Sequence, residues 1–449
     1  MKKLCLFLII SKLAFAQTIS FEEALNQTIE NSKDLQKQKI NIDIAKTNSD
    51  FIDGLNFGKV SLNSDISRTN HSGYVFMGKL SSREATFKDF GFSQMNEDIN
   101  TAPKDLNYPE AYTSINSYIS YDLPLFTGFA LYHQKGILKL QEKANEILYN
   151  LDKKTLEFEV LKAYNSAVLA KDFVKTMQKA KDTIGFIKNG AKEFHKNGLV
   201  TKIDVNEAEL HFLNTNSNLI EAENNFKLSL AYLKFLTSNQ NISDVENLQN
   251  TYLEIKEFED LYKIALKNRD EITLQNISIE ANNKNIKVNQ GSYYPSVFTH
   301  LEYGYNDDKF STSKDKDYYM ALLGISLTLF DGTRSANLEK SRLEYLKAKL
   351  DFEKLQDGIK LEVQKAILDY KAKQEILKEK ILASELASSV LNQAKLQYKN
   401  RLISMTTLLS QETNYRQSQT MLLNAKYENS LALARLNLVL GQNLQKDYK

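Results

Sequence analysis

Histidine and cysteine side chains carry much of the metal and nucleophilic chemistry of proteins, and this chain of 449 residues contains few of them. The five histidines show no metal-ligand spacing: His71, His133, His195, His211 and His300. The only cysteine is Cys5. The sequence has no P-loop, nucleophile elbow or Gly-rich dinucleotide turn, and its acids are scattered along helical faces. We therefore expect no enzyme activity, no cofactor and no metal site.

The first sixteen residues have a basic start, an apolar centre and the small-residue pattern Ala14-Phe15-Ala16. This pattern predicts a cleaved secretory signal peptide over 1–16. A membrane anchor is less suitable, because the apolar run is short and Lys12 interrupts it. The mature chain would contain no cysteine and would be almost neutral, which gives no electrostatic argument for binding nucleic acid. It also lacks an apolar run of about 18 residues that would predict a transmembrane helix.

Two stretches alternate between apolar and polar residues and then stop at a glycine before a long helical pattern: Tyr112–Gly128 and Tyr318–Gly332. Their length of roughly 14 residues exceeds the usual ~5–6 and suits a tilted strand that crosses a membrane. A half-buried strand of a soluble sheet is the alternative. Shorter alternation over 59–68 and Pro295–Tyr305 predicts two more strands. The strand–helix junctions would lie at Phe126, Gly128, Phe330 and Gly332.

The helical patterns are unusually long for a soluble globular protein. An apolar seam along 129–196 predicts a helix on the order of 100 Å long, which is typical of a coiled coil. Gly198 would mark a turn, after which helix resumes over 201–236. A further helix is predicted over 20–53, with Ser20 as its cap. The polar segment 69–110 is predicted to be a long loop at the outer surface.

The second half of the chain repeats the first. Phe21-Glu22-Glu23-Ala24-Leu25 matches Phe258-Glu259-Asp260-Leu261-Tyr262, and the strands, glycines and Lys-Asn turns follow in the same order. We infer an internal duplication. The predicted organisation is a first repeat over 17–237 with a helix, two strands and a long helical hairpin. A connector over 238–257, a second repeat over 258–441 and a tail over 442–449 follow.

Four strands are too few to close a membrane barrel, for which about eight is the practical minimum, and open strand edges cannot face lipid. Other copies of the chain must therefore complete the barrel. Three copies would supply twelve strands, although two copies would also close.

The junction motifs LPLFTGF and LTLFDGT and the turn motifs NGLVTKIDVNEAE and NRLISMTTLLSQE resemble those of the TolC-type outer-membrane efflux and secretion channel family. The resemblance covers nearly the whole mature chain. It implies a mainly α fold with a small β part, in which long antiparallel coiled coils form an α-barrel. Four strands per chain would join a shared trimeric 12-stranded transmembrane β-barrel. It also implies a place in the bacterial outer membrane, with the helices extending into the periplasm.

The same resemblance implies a function and partners. The chain would be a homotrimer and the outer-membrane component of a tripartite pump, with a periplasmic adaptor protein, an inner-membrane transporter and outer-membrane lipid as partners. It would give small toxic molecules or drugs an exit duct. A type I protein-secretion outlet is the alternative within this class. A periplasmic coiled-coil interaction protein without a pore is the alternative from a different class.

By family analogy, the two helix–helix turns form the periplasmic tip that contacts the adaptor and closes the duct. The residues implied at this tip are Asn197, Gly198, Leu199, Val200, Thr201, Asp204, Glu207, Asn400, Arg401, Leu402, Ile403, Ser404, Thr407 and Ser410. Some family members carry two gate acids where this chain has Thr407 and Ser410. The remaining acids, Asp204 and Glu207, or packed hydroxyl and apolar groups, would then form the gate. Alternatively, the apolar tip residues only close the end of the coiled coil.

Overall fold

A computed structural model describes residues 17–247 and 257–442. The predicted signal peptide lies outside the described residues, as do most of the connector's second half and nearly all of the C-terminal tail. Within the described ranges, none of the helices has the length and apolar character needed to cross a membrane.

The described chain consists mostly of helices. In chain order, its elements are β1 (Gln17–Ile19), α1 (Phe21–Asn31), α2 (Lys33–Leu55), β2 (Lys59–Thr69), α3 (Ser72–Ser81), α4 (Lys104–Asn107), β3 (Tyr112–Thr127), α5 (Ala130–Lys196), α6 (Lys202–Thr237), β4 (Ile242–Val245), α7 (Phe258–Asn268), α8 (Asp270–Gln290), β5 (Ser296–Asp307), β6 (Asp317–Ser326), α9 (Arg334–Lys399) and α10 (Met405–Val439). Short 3-10 turns follow α3 and α8.

The chain divides into two compact units. One contains the described residues up to 41, together with 145–276 and those from 350 onward; the other contains 42–144 and 277–349. Each unit therefore takes residues from both halves of the sequence. The mainly α fold class with a small β part is confirmed.

The second unit contains an antiparallel sheet in the order β2-β3-β5-β6. Cross-strand pairing aligns one apolar row and one polar row on opposite faces. The apolar row is Leu62, Ile119, Tyr303 and Tyr319, and the polar row is Asn63, Tyr118, Gly304 and Tyr318. The apolar face is open to solvent in the single chain, with Leu62 79% and Tyr319 84% exposed. Among the described residues, the outer edges of β2 and β6 have no partner strand.

The fourth strand is shorter than the alternation predicted. β6 ends at Ser326, and Leu329 and Phe330 beyond it are 88% exposed. The physical reason is that, among the strands the structure describes, β6 pairs with β5 alone. Because β5 begins at Ser296, Ser326 is the last residue of β6 with a partner. Pro295, just before β5, has no N–H with which to extend the pairing.

Two further predictions need correction. The helix expected over 20–53 is divided into α1 and α2, because Ser32 leaves helical geometry with ψ 117°. Its hydroxyl accepts a hydrogen bond from the backbone N–H of Leu35, which caps the new helix. The segment 69–110 is not a structureless loop, since it contains α3, α4 and two 3-10 turns.

The first unit buries its apolar residues between helices. Most of the predicted α5 seam is buried there, including Val160, Ala163, Ala167, Met177, Ile184, Ile187 and Ala191. Tyr164, also buried, donates its hydroxyl hydrogen to the carbonyl oxygens of Ile19 and Glu246, 2.9 and 3.1 Å away. This links α5 to the two-stranded parallel pair of β1 and β4.

The element order also repeats. The series α1-α2-β2-β3-α5-α6 is followed by α7-α8-β5-β6-α9-α10. The long helices α5 and α9 have 67 and 66 residues, and α6 and α10 have 36 and 35. This correspondence supports the predicted duplication.

Candidate functional site: the two helical turns

The first predicted tip is the turn between α5 and α6. Gly198 has φ +70°, and its N–H donates to the carbonyl of His195 at 2.9 Å. The N–H of Leu199 donates to the carbonyl of Phe194, also at 2.9 Å. This pair of bonds around a left-handed residue is a Schellman motif, which satisfies the last carbonyls of a helix.

The second tip, between α9 and α10, has the same hydrogen bonds at the corresponding positions. Arg401 has φ +64°, and its N–H donates to the carbonyl of Tyr398, while the N–H of Leu402 donates to the carbonyl of Gln397. Arginine therefore occupies the left-handed position that glycine occupies in the first tip. The backbone of the turn is preserved although the residue that suits it best is not.

Both turns continue into a capped helix. Thr201 and Asp204 form a capping box at the start of α6, in which the Asp204 carboxylate accepts from the Thr201 hydroxyl at 2.7 Å and from the Thr201 N–H at 2.8 Å. These hydrogen bonds hold the pKa of Asp204 below its usual value. In the second tip, Ser404 accepts from the N–H of Thr407 at 3.2 Å. Thr407 thus corresponds to Asp204, and the acid of the first tip is engaged in capping.

The structure brings the two tips together. Thr406 at the start of α10 donates its hydroxyl hydrogen to Glu207 of α6 at 3.1 Å. Beneath this contact lies an apolar core shared by all four long helices: Ile184, Ile187, Ala191, Ala208, Leu391, Ala394, Met405, Leu408 and Leu409. The predicted tip residues therefore form one composite surface within a single copy of the chain.

The apolar tip residues divide into two groups. Ile403 packs against the shared core, so it closes the end of the coiled coil. Leu199 and Leu402 face solvent, with 44% and 72% of their surface exposed, and nearby Ile203 is 76% exposed. Ser410, Asn197 and Asn400 are also exposed. The exposed leucines and isoleucine therefore form an apolar patch on the surface of the tip.

The predicted strand–helix junctions lie in the other unit and are unlike one another. At the first, Gly128 and Phe129 both have positive φ, and the ring of Phe129 packs edge-on against Phe126 at 5.0 Å. A Cβ on Gly128 would lie 2.3 Å from the carbonyl oxygen of Gly291, so two backbones meet there. At the second, Gly332 has open space around it and Phe330 is exposed.

A buried carboxylate near the tips was not among the predicted site residues. Glu412 of α10 is 1% exposed, and its Oε2 has no hydrogen-bond partner. Arg416 lies 3.6 Å from Oε1. Burial raises the pKa of Glu412, while Arg416 and Lys395 oppose that rise. The signal was available, because Glu412 follows Met405, Leu408 and Leu409 at helical spacing in an otherwise apolar row.

Beside Glu412 is a cavity of about 350 Å³ between α5, α9 and α10. Polar side chains line most of it, including Lys179, Asp182 and Asn392. A space of this size with polar walls suits ordered water.

Across the described residues, one group of three acids is close enough to share a cation: Glu84, Asp307 and Asp308. Lys316 already forms ion pairs with Glu84 at 2.7 Å and Asp307 at 3.4 Å. Its ammonium group supplies the positive charge that this cluster requires, so the arrangement is explained by a salt bridge.

Comparisons with known proteins bear on the fold and the family. Residues 261–442 match the family model described as "Outer membrane efflux protein". None of the curated proteins matches the chain in sequence. Several solved structures share its fold.

The CmeC outer membrane channel of Campylobacter jejuni has a TM-score of 0.75 at 16% identity, covering 94% of this chain and 85% of CmeC. The outer membrane protein VceC of Vibrio cholerae has a TM-score of 0.75 at 14% identity, covering 94% and 96%. The MtrE outer membrane channel of Neisseria gonorrhoeae has a TM-score of 0.76 at 14% identity, covering 95% and 90%. Residues 261–442 are thus similar to the outer membrane efflux protein family, whose model they match, and the chain as a whole has the fold of the outer-membrane channels named above.

Proposed function

We propose that three copies of this chain form an outer-membrane channel that serves as the exit duct of a tripartite efflux pump. The observation that carries this proposal is the sheet of β2, β3, β5 and β6. It exposes an apolar face, with Leu62 79% and Leu323 65% exposed. The opposite face bears the polar residues Asn63, Asn116, His300 and Glu302, together with Phe298, Met320 and Leu322 of β5 and β6. A sheet that is apolar on one face and polar on the other suits the wall of a water-filled barrel in lipid.

The open edges of this sheet support an assembly. β2 and β6 lack partners on their outer sides among the described residues, and unpaired backbone groups in lipid cost several kcal/mol each. Pairing β6 of one copy with β2 of the next would remove every edge. Three copies would give twelve strands, which is within the range of membrane barrels, whereas four strands are below it.

The helices support contacts between copies as well. Leu361, Leu368 and Leu382 of α9 are exposed by 68%, 61% and 55%. Their spacing is a multiple of seven residues, which places them on one helical stripe of the kind that packs in coiled coils. Neighbouring copies would cover this stripe and enclose a helical duct.

The composite tip is the proposed docking site for the periplasmic adaptor, and through it for an inner-membrane transporter. Leu199, Leu402 and Ile203 supply exposed apolar anchors, and the Glu207–Thr406 contact fixes the two turns relative to each other. The proposed cargo is small toxic molecules, and the channel has no catalytic role.

The location is tested by fractionation. The full-length chain, expressed with its leader, should be found in the outer membrane and should migrate as a heat-modifiable oligomer. In planar bilayers the purified oligomer should form ion-conducting channels. A water-soluble monomer without channel activity would overturn the proposal.

The cargo is tested by deleting the chain from its native host. Increased susceptibility to several unrelated drugs or toxic compounds would support an efflux duct. Unchanged susceptibility together with loss of a secreted protein would instead identify a type I secretion outlet.

The gate is tested separately by conductance. If the tip acids line the entrance, Asp204→Asn should raise or lower the conductance, and Thr407→Asp should change its ion selectivity. If neither variant differs from the wild type, these positions do not belong to the gate.

A further inference from the structure

The segment between β2 and β3 lies against the polar face of the sheet. Alternation puts Tyr112 and Ser114 on the same face as Asn116 and Tyr118. A Cβ on Gly78 of α3 would lie 3.2 Å from the Tyr112 ring and 3.6 Å from the Cβ of Ser114. The hydroxyl groups of Tyr112 and Ser82 are 2.7 Å apart. Helix α3 is thus packed on the face that bears the polar row of strand residues.

Helix α3 is itself two-sided. Val75, Gly78 and Ser82 are buried and follow helical spacing, so they form the side against the sheet. Tyr74 and Met77 point away from the sheet and are 71% and 60% exposed. The ring of His71 packs on Tyr74 with 5.0 Å between centroids, and most of the surface of both side chains remains open to solvent.

Two cations hold the segment in place. Arg83 donates to the carbonyl oxygens of Asp315 and Asp317 at 2.7 Å each. In return, Lys316 donates to the carbonyl oxygen of Ser82 at 2.6 Å and to the carboxylate of Glu84 at 2.7 Å. These reciprocal contacts join the β2–β3 segment to the β5–β6 segment at the end of the sheet away from the long helices. We refer to the two cations as the Arg83–Lys316 latch.

The radius of a closed barrel determines how much of its opening α3 would fill. Twelve strands about 4.8 Å apart, tilted by about 40°, give a backbone radius of roughly 12 Å. A helix with its side chains is about 10–12 Å across. One helix packed on the inner wall would therefore reach the barrel axis. Three such helices cannot lie side by side within the barrel, so they would meet at its rim, where α3 contacts Tyr112 and Ser114 at the start of β3, and would crowd the mouth.

We propose that α3 forms a constriction at the outer mouth of the channel, where the Tyr74 and Met77 side chains of three copies pack on one another and the Arg83–Lys316 latch holds each helix in place. This inference rests on the proposed channel function, because the polar face becomes a lumen only in the closed barrel. The exposed side of α3 is then covered by the same helix of the other copies. For export, α3 has to move away from the inner face of the barrel. Breaking the hydrogen bonds of the Arg83–Lys316 latch should therefore favour the open state of the channel.

The experiment measures access to the lumen from outside. Asn63 lies on the polar face of β2 and Leu62 on the apolar face. Each is replaced by cysteine in the full-length chain, and intact cells are treated with a membrane-impermeant maleimide. We expect slow labelling of Asn63→Cys and many-fold faster labelling when Arg83→Ala and Lys316→Ala are added. The exposed Lys309→Ala in the same β5–β6 segment is the matched control and should leave the rate unchanged.

A second pair of variants covers the possibility that the latch variant misassembles. Replacing residues 71–110 by a short Gly-Ser turn should also accelerate labelling of Asn63→Cys. Met77→Cys should form a disulfide between copies under mild oxidation, whereas Leu62→Cys on the lipid face should not.

The outcomes separate the constriction from the channel itself. If Leu62→Cys stays protected while Asn63→Cys reacts at one rate in every background, the constriction is overturned and the channel stands. If Leu62→Cys reacts freely, the sheet is not in lipid, and both proposals fall.

Discussion

Arg401 stands at a position that favours glycine. Its φ of +64° lies in the left-handed region, where a side chain costs roughly 1 kcal/mol or more relative to glycine. The corresponding residue of the first tip, Gly198, adopts φ +70° with open space around it. The same turn is therefore built once without backbone strain and once with it.

We expect Arg401→Gly to stabilise the purified protein by about 1 kcal/mol, because it removes that strain. Gly198→Ala is the matched control and should destabilise by a similar amount. Thermal unfolding followed by circular dichroism in detergent measures both. A lower melting temperature for Arg401→Gly would show that the arginine side chain makes a stabilising contact.

Glu412 is the second residue whose chemistry conflicts with its surroundings. Its neighbours on α10 are apolar, its charged partners are Arg416 on the same helix and Lys395 on α9, and Lys179 and Asp182 of α5 line the adjacent cavity. Because burial raises its pKa above 4.5, Glu412 binds its proton more tightly in the folded protein than in the unfolded chain. That stabilisation is complete below pH 4.5 and is lost as the pH rises through the folded-state pKa.

Glu412→Gln cannot ionise and should raise stability at pH 8 by roughly 1–3 kcal/mol, the usual cost of a buried unsatisfied group. The difference from the wild type should vanish below pH 4.5, where Glu412 is neutral in both states. Melting temperatures measured from pH 4 to pH 8 test this. A variant less stable than the wild type at pH 8 would show that the Arg416 ion pair outweighs the burial.

At the scale of elements, the junction of β3 with α5 depends on close backbone approach. Gly128 and Gly291 face each other so closely that a Cβ on either would clash with the other's carbonyl oxygen, at 2.3 and 2.9 Å. The start of α5 thereby packs against the 3-10 turn that leads into β5. A Cβ on the corresponding Gly332 before α9 would meet no other described atom within 4 Å beyond those of its chain neighbours.

Gly128→Ala should therefore destabilise the protein by more than about 2 kcal/mol, since it combines a backbone clash with a positive φ of +61°. Gly332→Ala is the matched control and should change stability by less than about 0.5 kcal/mol. The yield and melting temperature of the assembled protein measure the difference. Equal effects would show that the two junctions are under the same constraint.

At the scale of the whole molecule, three features of the single chain favour assembly with other copies. It leaves two strand edges unpaired within the described residues, exposes an apolar sheet face and leaves an apolar stripe on α9 uncovered. Each feature is a liability for a monomer in water, because it favours aggregation. One closed assembly in lipid removes all three.

Light scattering of the protein purified in detergent should therefore give a protein mass near three times that of the mature chain, with no dissociation at low concentration. A mass of two chains would instead favour closure by eight strands. A monodisperse monomer would contradict any shared barrel.

Local patterns predicted much of this structure. Alternation over Tyr112–Gly128 predicted β3 almost to the residue. Successive side chains of a strand point to opposite faces, so residue types alternate wherever the two faces have different environments. The seam along α5 predicted a helix that ends at Lys196, since Asn197-Gly198 terminates it locally. Strong periodicity and turn chemistry are both encoded in neighbouring residues.

The predictions that failed depended on partners distant in sequence. β6 ends at Ser326 because β5 has no residue opposite Leu327. The residues around Leu327 in the sequence do not show where the partner strand begins. Helix α3 could not be anticipated within a polar segment, because its buried side faces Tyr112 and its latch uses Lys316, more than 200 residues away from Arg83.

The sequence by itself determined four features: the alternating strands, the long amphipathic helices, the glycine turns and the repetition of one unit. Each follows from the periodicity or spacing of residues along the chain. Only the tertiary structure decided that the two turns share one core, that Glu412 is buried without a full set of partners, and that α3 covers the polar face. Each of those features depends on contacts between side chains that are far apart in the sequence. Such contacts form only when the chain folds, so the pattern of neighbouring residues does not report them.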